Sequence, residues 1–273
     1  MKELAIRALS GALFVALLLT SLLSQHATIA LFFVFGLICL AEFNKLLKLK
    51  GIISYIIFIV LYLAFAYWQL ILDANQGFYE ASQIFHVLTI FVLLFLIKDL
   101  FSEKTIPLLI TKRYINTTFY LSSGFIFIIL IANYFEEFNP SILLGAFILV
   151  WVNDSFAYLV GKNFGKQKLF PSISPKKTVE GFLGGLLFAT ISSYFIAKYT
   201  EVLNFTSWLI LAIIVSVFGT IGDLIESKYK RQAGAKDSGS IMPGHGGLLD
   251  RLDSIIFAAP FIYLFLRLLK YVS

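Results

Sequence analysis

Charge is scarce in this chain. Only 14% of its 273 residues are Asp, Glu, Lys or Arg, against roughly 25% in an average soluble domain. Cysteine occurs once, at Cys39, which excludes an intramolecular disulfide. Cys39 lies within the apolar run Gly36–Ala41 and reads as a small packing residue. There is no internal repeat, no low-complexity linker and no polar stretch long enough to form a soluble domain of its own. These absences exclude a charged, water-facing exterior and leave little room for an ordinary globular enzyme.

Apolar residues are abundant instead: 59% of the chain is hydrophobic, and the mean hydropathy is +0.87. One globular core could not hide that much apolar surface, so lipid must be the solvent for most of it. Apolar runs recur at about 4–24, 27–43, 51–72, 83–97, 114–134, 141–160, 179–198, 204–225 and 254–271. The run at 83–97 is the shortest, below the ~20 residues a span usually needs. The first run follows Lys2 and Arg7 as a signal peptide would, but no small-x-small cleavage site follows it, so it reads as an uncleaved span. The predicted fold class is all-α: a polytopic integral membrane protein with nine transmembrane helices.

The basic residues test that count. With the N-terminus cytoplasmic and nine spans, all Lys and Arg but Lys198, Arg267 and Lys270 of the 22 fall in inside segments. Outside loops carry Asp73, Glu80, Glu136, Glu137 and Glu201. The asymmetry follows the positive-inside rule, and dropping the short span would invert every later loop. The net charge of +6 is thereby explained by inside loops, with no nucleic acid partner implied. The chain divides at Pro140. Residues 1–139 form plain apolar spans, a scaffold, whereas 140–273 carry charged residues in and beside the spans.

Two segments could carry chemistry. One runs from Asp223 through Lys230, Arg231, Lys236, Asp237, Gly244, His245, Gly246 and Gly247 to Asp250, Arg251 and Asp253. At helical spacing Asp223, Glu226, Ser227 and Lys230 share a face. Asp250 and Asp253 open the last helix, where negative charge suits the dipole. Carboxylates at neighbouring helix ends, with Lys and Arg between them, suit Mg²⁺ bound together with substrate phosphates. The Gly-rich stretch would let backbone N–H groups approach phosphate closely. As ordinary interfacial anchors the lysines need no function, and Asp253 could serve as a helix cap. Asp223 and Asp250 are harder to dismiss, since ionisable groups bordering a span are costly. His245, the only histidine in a polar motif, is a candidate for phosphate contact or proton handling.

The other segment holds Asp154, Tyr158 and Gly161 on one helical face, then Ser174, Pro175, Lys176, Lys177, Thr178 and Glu180. Thr178 is placed to cap a helix, with Glu180 in its first turn. Lys176 and Lys177 beside that helix start make an anion-binding corner. Gly181 and Gly185 have the small-xxx-small spacing of close helix packing. Residues alone therefore point to a cytoplasmic-face membrane enzyme that handles a polyphosphate with a divalent metal.

The run Ser227-Lys-Tyr-Lys-Arg-x4-Lys-Asp-Ser-Gly-x-Ile-Met-Pro-Gly-His-Gly-Gly-Leu-Leu-Asp-Arg-Leu-Asp253 closely resembles the signature of bacterial-type phosphatidate cytidylyltransferases, or CDP-diacylglycerol synthases. Ser-Pro-Lys-Lys-Thr-Val-Glu-Gly, residues 174–181, is similar to theirs too. Tyr229 departs from the pattern, standing where that family has an aliphatic residue or Phe. The resemblance implies CTP and phosphatidate as substrates within a lipid bilayer, in a bacterial inner membrane. It also implies Mg²⁺ held by Asp223 and Asp250. Catalytic candidates are Asp223, Asp250, Lys230, Arg231, Lys236, His245 and Arg251. Substrate-binding candidates are Ser174, Lys176, Lys177, Thr178, Asp154, Asp237, Gly246 and Gly247. A homodimer is left open.

Three other readings compete with this one. A transporter would show repeats and polar breaks near mid-bilayer in both halves, whereas polar residues cluster here in one half. Another CTP-using lipid enzyme, such as a polyprenol kinase or a CDP-archaeol synthase, differs only in the acceptor. A structural membrane protein has no use for so many bordering charges.

Overall fold

A computed structural model describes residues 2–68, 70, 76–102, 106, 110–135 and 138–272. Asp73, Lys104, Glu136, Glu137 and the side chain of Lys2 lie outside the described residues.

The chain runs as α1 (Lys2–Ser21), α2 (Gln25–Leu46) and α3 (Ile53–Tyr62), whose end continues as the π-helical stretch Leu63–Trp68. Next come α4 (Gln76–Leu100), α5 (Ile110–Asn116), a second π-helical stretch Thr117–Ser122, and α6 (Ser123–Ala132). The second half holds α7 (Ser141–Phe164), the short strands β1 (Lys168–Phe170) and β2 (Ser174–Thr178), α8 (Val179–Thr200), α9 (Phe205–Gln232) and α10 (Leu249–Val272). Among the described residues, 7 helices are long and apolar enough to cross a membrane. Two shorter apolar helices, Ile6–Ser21 and Ile53–Trp68, account for the other predicted runs. The run at 83–97 is no short helix: polar residues on both sides extend it to Gln76–Leu100.

Every residue of α6 is buried. Enclosed along its whole length, α6 is the inner rod around which the others stand. Just before it, Ser122 Oγ donates to the Thr117 carbonyl at 2.9 Å and Thr117 Oγ1 to the Tyr114 carbonyl at 3.0 Å. Both hydroxyls thus find partners within the chain, a necessity where no water reaches. Lipid-facing stripes have the opposite character. Leu183, Leu187 and Ile191 of α8, and Leu9, Leu13 and Leu17 of α1, are exposed at one-turn spacing.

The four helices that carry the charged segments pack on one another, α7 against α8, α8 against α9 and α9 against α10. Glycine sets the α7–α8 distance. A Cβ on Gly181 would lie 2.7 Å from the Ala157 carbonyl, and one on Gly185 2.6 Å from that of Asn153, as their spacing predicts. Thr178 caps α8, its Oγ1 accepting from Gly181 N–H at 3.1 Å. Glu180 reaches back to the amides of Lys166 and Gln167. Asn204 caps α9 in the same way, accepting from Ser207 N–H at 2.8 Å.

One element departs from the all-α expectation. The segment around Pro175 is an antiparallel hairpin, with Lys168 opposite Thr178 and Phe170 opposite Ser174. It lies off the membrane-spanning helices, where backbone N–H and C=O groups can find water or a partner strand. The hairpin projects its lysines toward the helix ends described next.

Far from those ends, Gly145 of α7 faces fully buried Trp208 of α9, whose ring fills the place of a Cβ. Gly145→Val forces the two helices apart. Overpacking of this kind costs about 1–3 kcal/mol, so the thermal midpoint in detergent is expected to fall below that of the wild type.

Candidate active site

At 28 residues α9 is the longest helix, about 42 Å at the α-helical rise. That exceeds the ~30 Å of bilayer hydrocarbon, so its last turns can serve a site beyond the apolar zone. Those turns present Asp223, Glu226, Ser227 and Lys230 on one face. Ser227 Oγ donates to Asp223 Oδ1 at 3.2 Å. Lys230 is buried and pairs with Glu226 one turn back on the same helix. The same ammonium reaches Asp250 Oδ1 of α10 at 2.7 Å. From the hairpin, Lys177 Nζ lies 2.6 Å from Asp223 Oδ2. Burial works against the charge on Lys177, but Asp223, followed by Asp154 and Asp253, outweighs it and raises its pKa.

One oxygen each of Asp223, Glu226 and Asp253 lies within 4.8 Å of the others. Glu226 is fully buried, and its Oε1 has no hydrogen-bond partner among the described residues. Three carboxylates converging with an unsatisfied buried oxygen make an all-oxygen donor set that fits a hard divalent cation. Asp250 is engaged differently. Its carboxylate accepts from Lys230, from Ser238 N–H and Oγ, and from Gly247 N–H at 2.7 Å.

A cavity of about 1000 Å³ opens onto these groups. Its wall brings together Asp154, Lys176, Lys177, Thr178, Asp223, Lys230, Asp237, His245, Asp250 and Arg251. Tyr158 and Gly161, predicted to share a face with Asp154, line it too. Phe14, Val15, Val150, Trp151 and Phe182 give the same cavity an apolar side. Five candidates stand off its wall. Arg231 turns to the Ile173 and Ala235 carbonyls, and Lys236 is exposed. Ser174 sits in the hairpin, while Gly246 and Gly247 lie in the turn before α10.

That turn is closed on itself. Gly246 has φ +86, a left-handed conformation open to glycine. Met242 N–H donates to the Gly246 carbonyl, and His245 N–H to the Met242 carbonyl. The amides of Gly247, Leu248 and Leu249 all donate to protein carboxylates. His245 is half-buried with Nδ1 2.8 Å from Ser10 Oγ of α1. Burial, then Arg251 and Arg7, hold its pKa below the usual imidazole value, leaving the ring neutral at pH 7.

Sequence reasoning missed Glu42 of α2 and Ser10 of α1, both in the half read as scaffold. Glu42 is buried, and its carboxylate accepts from Leu248 N–H at 3.2 Å and Leu249 N–H at 2.9 Å. The signal available was Glu42 itself, a lone carboxylate at the end of an apolar run. Ser10, one hydroxyl on an apolar helix, gave none.

Fold and site together define a multi-helix membrane protein with a polar, charge-lined cleft open along one apolar side. The model of the cytidylyltransferase family matches residues 5–269. A phosphatidate cytidylyltransferase of Bacillus subtilis (strain 168) is 35% identical over 232 residues, covering 82% of this chain and 81% of that protein. One of Staphylococcus aureus (strain COL) is 44% identical over 151 residues, 54% of this chain and 55% of the relative. One of Staphylococcus saprophyticus is 49% identical over 126 residues, 45% of this chain and 48% of the relative. The chain belongs to the cytidylyltransferase family.

Lys230→Met would leave Glu226 and Asp250 buried without their shared cation. Removing one partner of a buried ion pair costs about 3–5 kcal/mol. The variant is expected to unfold at clearly lower denaturant than the wild type, measured in the same detergent.

Proposed function

We propose that this chain transfers CMP from CTP to phosphatidate, giving CDP-diacylglycerol and pyrophosphate for phospholipid biosynthesis. The observation that carries the reading is the mixed wall of one cleft. Carboxylates and ammonium groups face Phe14, Val15, Trp151 and Phe182 across the same space, so a water-soluble polyphosphate and a lipid phosphate can meet there. Family membership and the similarity to phosphatidate cytidylyltransferases support the chemistry.

In the proposed reaction an oxygen of the phosphatidate phosphate attacks the α-phosphorus of CTP. The bond from that phosphorus to the bridging oxygen of the β-phosphate breaks, and pyrophosphate leaves with the electron pair. The attacking phosphate is already ionised at neutral pH, so no strong general base is needed. Positioning and charge neutralisation carry the rate. Lys176, Lys177, Lys230 and Arg251 are proposed to take up phosphate charge, while Arg231 and Lys236 stand off the cleft wall. Asp154, Asp237 and Thr178 are proposed to border the substrates, Ser174 belongs to the hairpin that carries Lys176 and Lys177, and Gly246 and Gly247 shape the turn that holds Asp250. Mg²⁺ is proposed at Asp223, with Glu226 and Asp253 beside it and Asp250 fixed close by. When bound, it neutralises the departing pyrophosphate. Neutral His245 is suited to hydrogen bonding with substrate.

The proposed topology has nine spans, with N-terminus and cleft on the cytoplasmic side of a bacterial inner membrane. The seven long and two shorter apolar helices support that count. The gathering of lysine and arginine at the cleft end supports the orientation. Residues 140–273 are proposed to carry the chemistry.

The test is a detergent-micelle assay with purified protein, phosphatidate, radiolabelled CTP and Mg²⁺. Labelled CDP-diacylglycerol, lost on adding EDTA, is the expected outcome. Absence of any product, with other lipid phosphates and nucleotides also tried on folded protein, would favour transport instead. Asp250→Asn is expected to abolish turnover while the protein stays folded in membranes. Full activity in that variant would remove Asp250 from the site.

A further inference from the structure

We infer that Glu42 is a positioning residue for this reaction, acting from the second helix to fix the loop and helix end that carry Asp250. The inference rests on the function proposed above.

The first amides of a helix have no partner within it. At the start of α10 Leu249 N–H is one of these, and it joins the two amides before it in donating to two carboxylates. Gly247 N–H goes to Asp250, which is local, while Leu248 N–H and Leu249 N–H go to Glu42, more than 200 residues earlier in the chain. Ser238 joins the two, its Oγ lying 2.9 Å from Asp250 Oδ2 and 3.3 Å from Glu42 Oε2. The dipole of α10 favours both negative charges at this end.

The surrounding loop is shaped to the Glu42 carboxylate. A Cβ on Gly239 would collide with Glu42 Oε1, and one on Gly247 would lie 2.7 Å from both Glu42 oxygens. The loop from Ser238 to Leu249 therefore wraps an anion delivered by another helix. Glu42 is itself held in place, because Phe43 beside it packs edge-on against Tyr229 of α9 at 5.1 Å. Tyr229 is one residue from Lys230, the cation shared by Asp250 and Glu226.

Glu42 does not line the cleft, so it touches no reacting group. Its effect passes to Asp250 through the Ser238 hydroxyl and the start of α10. A displacement of ~1 Å at such groups lowers turnover by about 100-fold. Substrate binding spread over the hairpin and the apolar wall depends on it far less.

The test compares Glu42→Gln and Glu42→Asp with the wild type and with Ser54→Ala. Ser54 accepts a hydrogen bond from Asn44 Nδ2 at 2.8 Å near the same end of α2, away from the loop. All four proteins are purified in detergent, and kcat, the KM for CTP and the thermal midpoint are measured. Gln keeps the shape of Glu but presents an NH₂ to amides that need an acceptor. The expected result is a kcat loss of about 30-fold or more in Glu42→Gln, with the KM for CTP within about 3-fold of wild type. Ser54→Ala is expected to keep wild-type kcat even where its midpoint falls. Wild-type kcat in Glu42→Gln would overturn the inference. So would a loss no greater than that of Ser54→Ala at a matching midpoint, or failure of both Glu42 variants to fold, which would assign Glu42 to stability alone. A wild type that makes no CDP-diacylglycerol would instead sink the proposed function.

Discussion

The structure of this end of the bundle depends on how Lys230 is shared. One buried ammonium lies between Glu226 on its own helix and Asp250 on the next. Moving any of these three charges out of water is costly, and the cost is offset only if they stay together with their remaining hydrogen bonds satisfied. That requirement locks the last turns of α9 against the first turn of α10. Lys177, arriving from the hairpin, extends the arrangement to Asp223, so α8 and its hairpin are tied to the same centre.

Much else follows from keeping carboxylates in a dry place. Asp250 cannot rely on Lys230 alone, and the loop before it supplies Ser238 and Gly247 as donors. Glycine at 239, 246 and 247 is then a matter of room, since the nearest atoms to an added Cβ include carboxylate oxygens of Glu42 or Asp250. The glycines were expected to open the backbone to phosphate, yet several neighbouring amides already bond to the protein's own carboxylates. The glycine-rich turn is thus an anion cradle for side chains of this chain.

What could be read from the sequence was whatever has a period or a local chemical rule. Runs of apolar residues gave the helices, and helical spacing put Asp223, Glu226 and Lys230 on one face. Thr178 as a cap and the close approach at Gly181 and Gly185 were legible for the same reason: cause and effect lie within one or two turns. The hairpin around Pro175 was missed because it has only 3- and 5-residue strands, too short for an alternating pattern to register. Glu42 was missed because its partners are Leu248 and Leu249, brought to it by tertiary packing alone. The division into scaffold and site overlooked it because an isolated residue forms no motif.

Charge in the cleft is graded. Around its mouth Lys162, Lys168, Lys176 and Arg251 are exposed, while farther in Asp223, Glu226 and Asp253 converge on the bundle end. A basic rim attracts a polyphosphate, but an acidic interior repels it unless a cation neutralises the carboxylates. The same interior would be hard to maintain empty of charge compensation, since Lys177 and Lys230 are the cations that pair with it. The same cleft thus offers cations to an anionic group and, at Asp223, Glu226 and Asp253, oxygen ligands that fit a divalent ion. An arrangement like this suits phosphoryl-group chemistry at a lipid boundary and has no evident use in a protein that only spans the membrane.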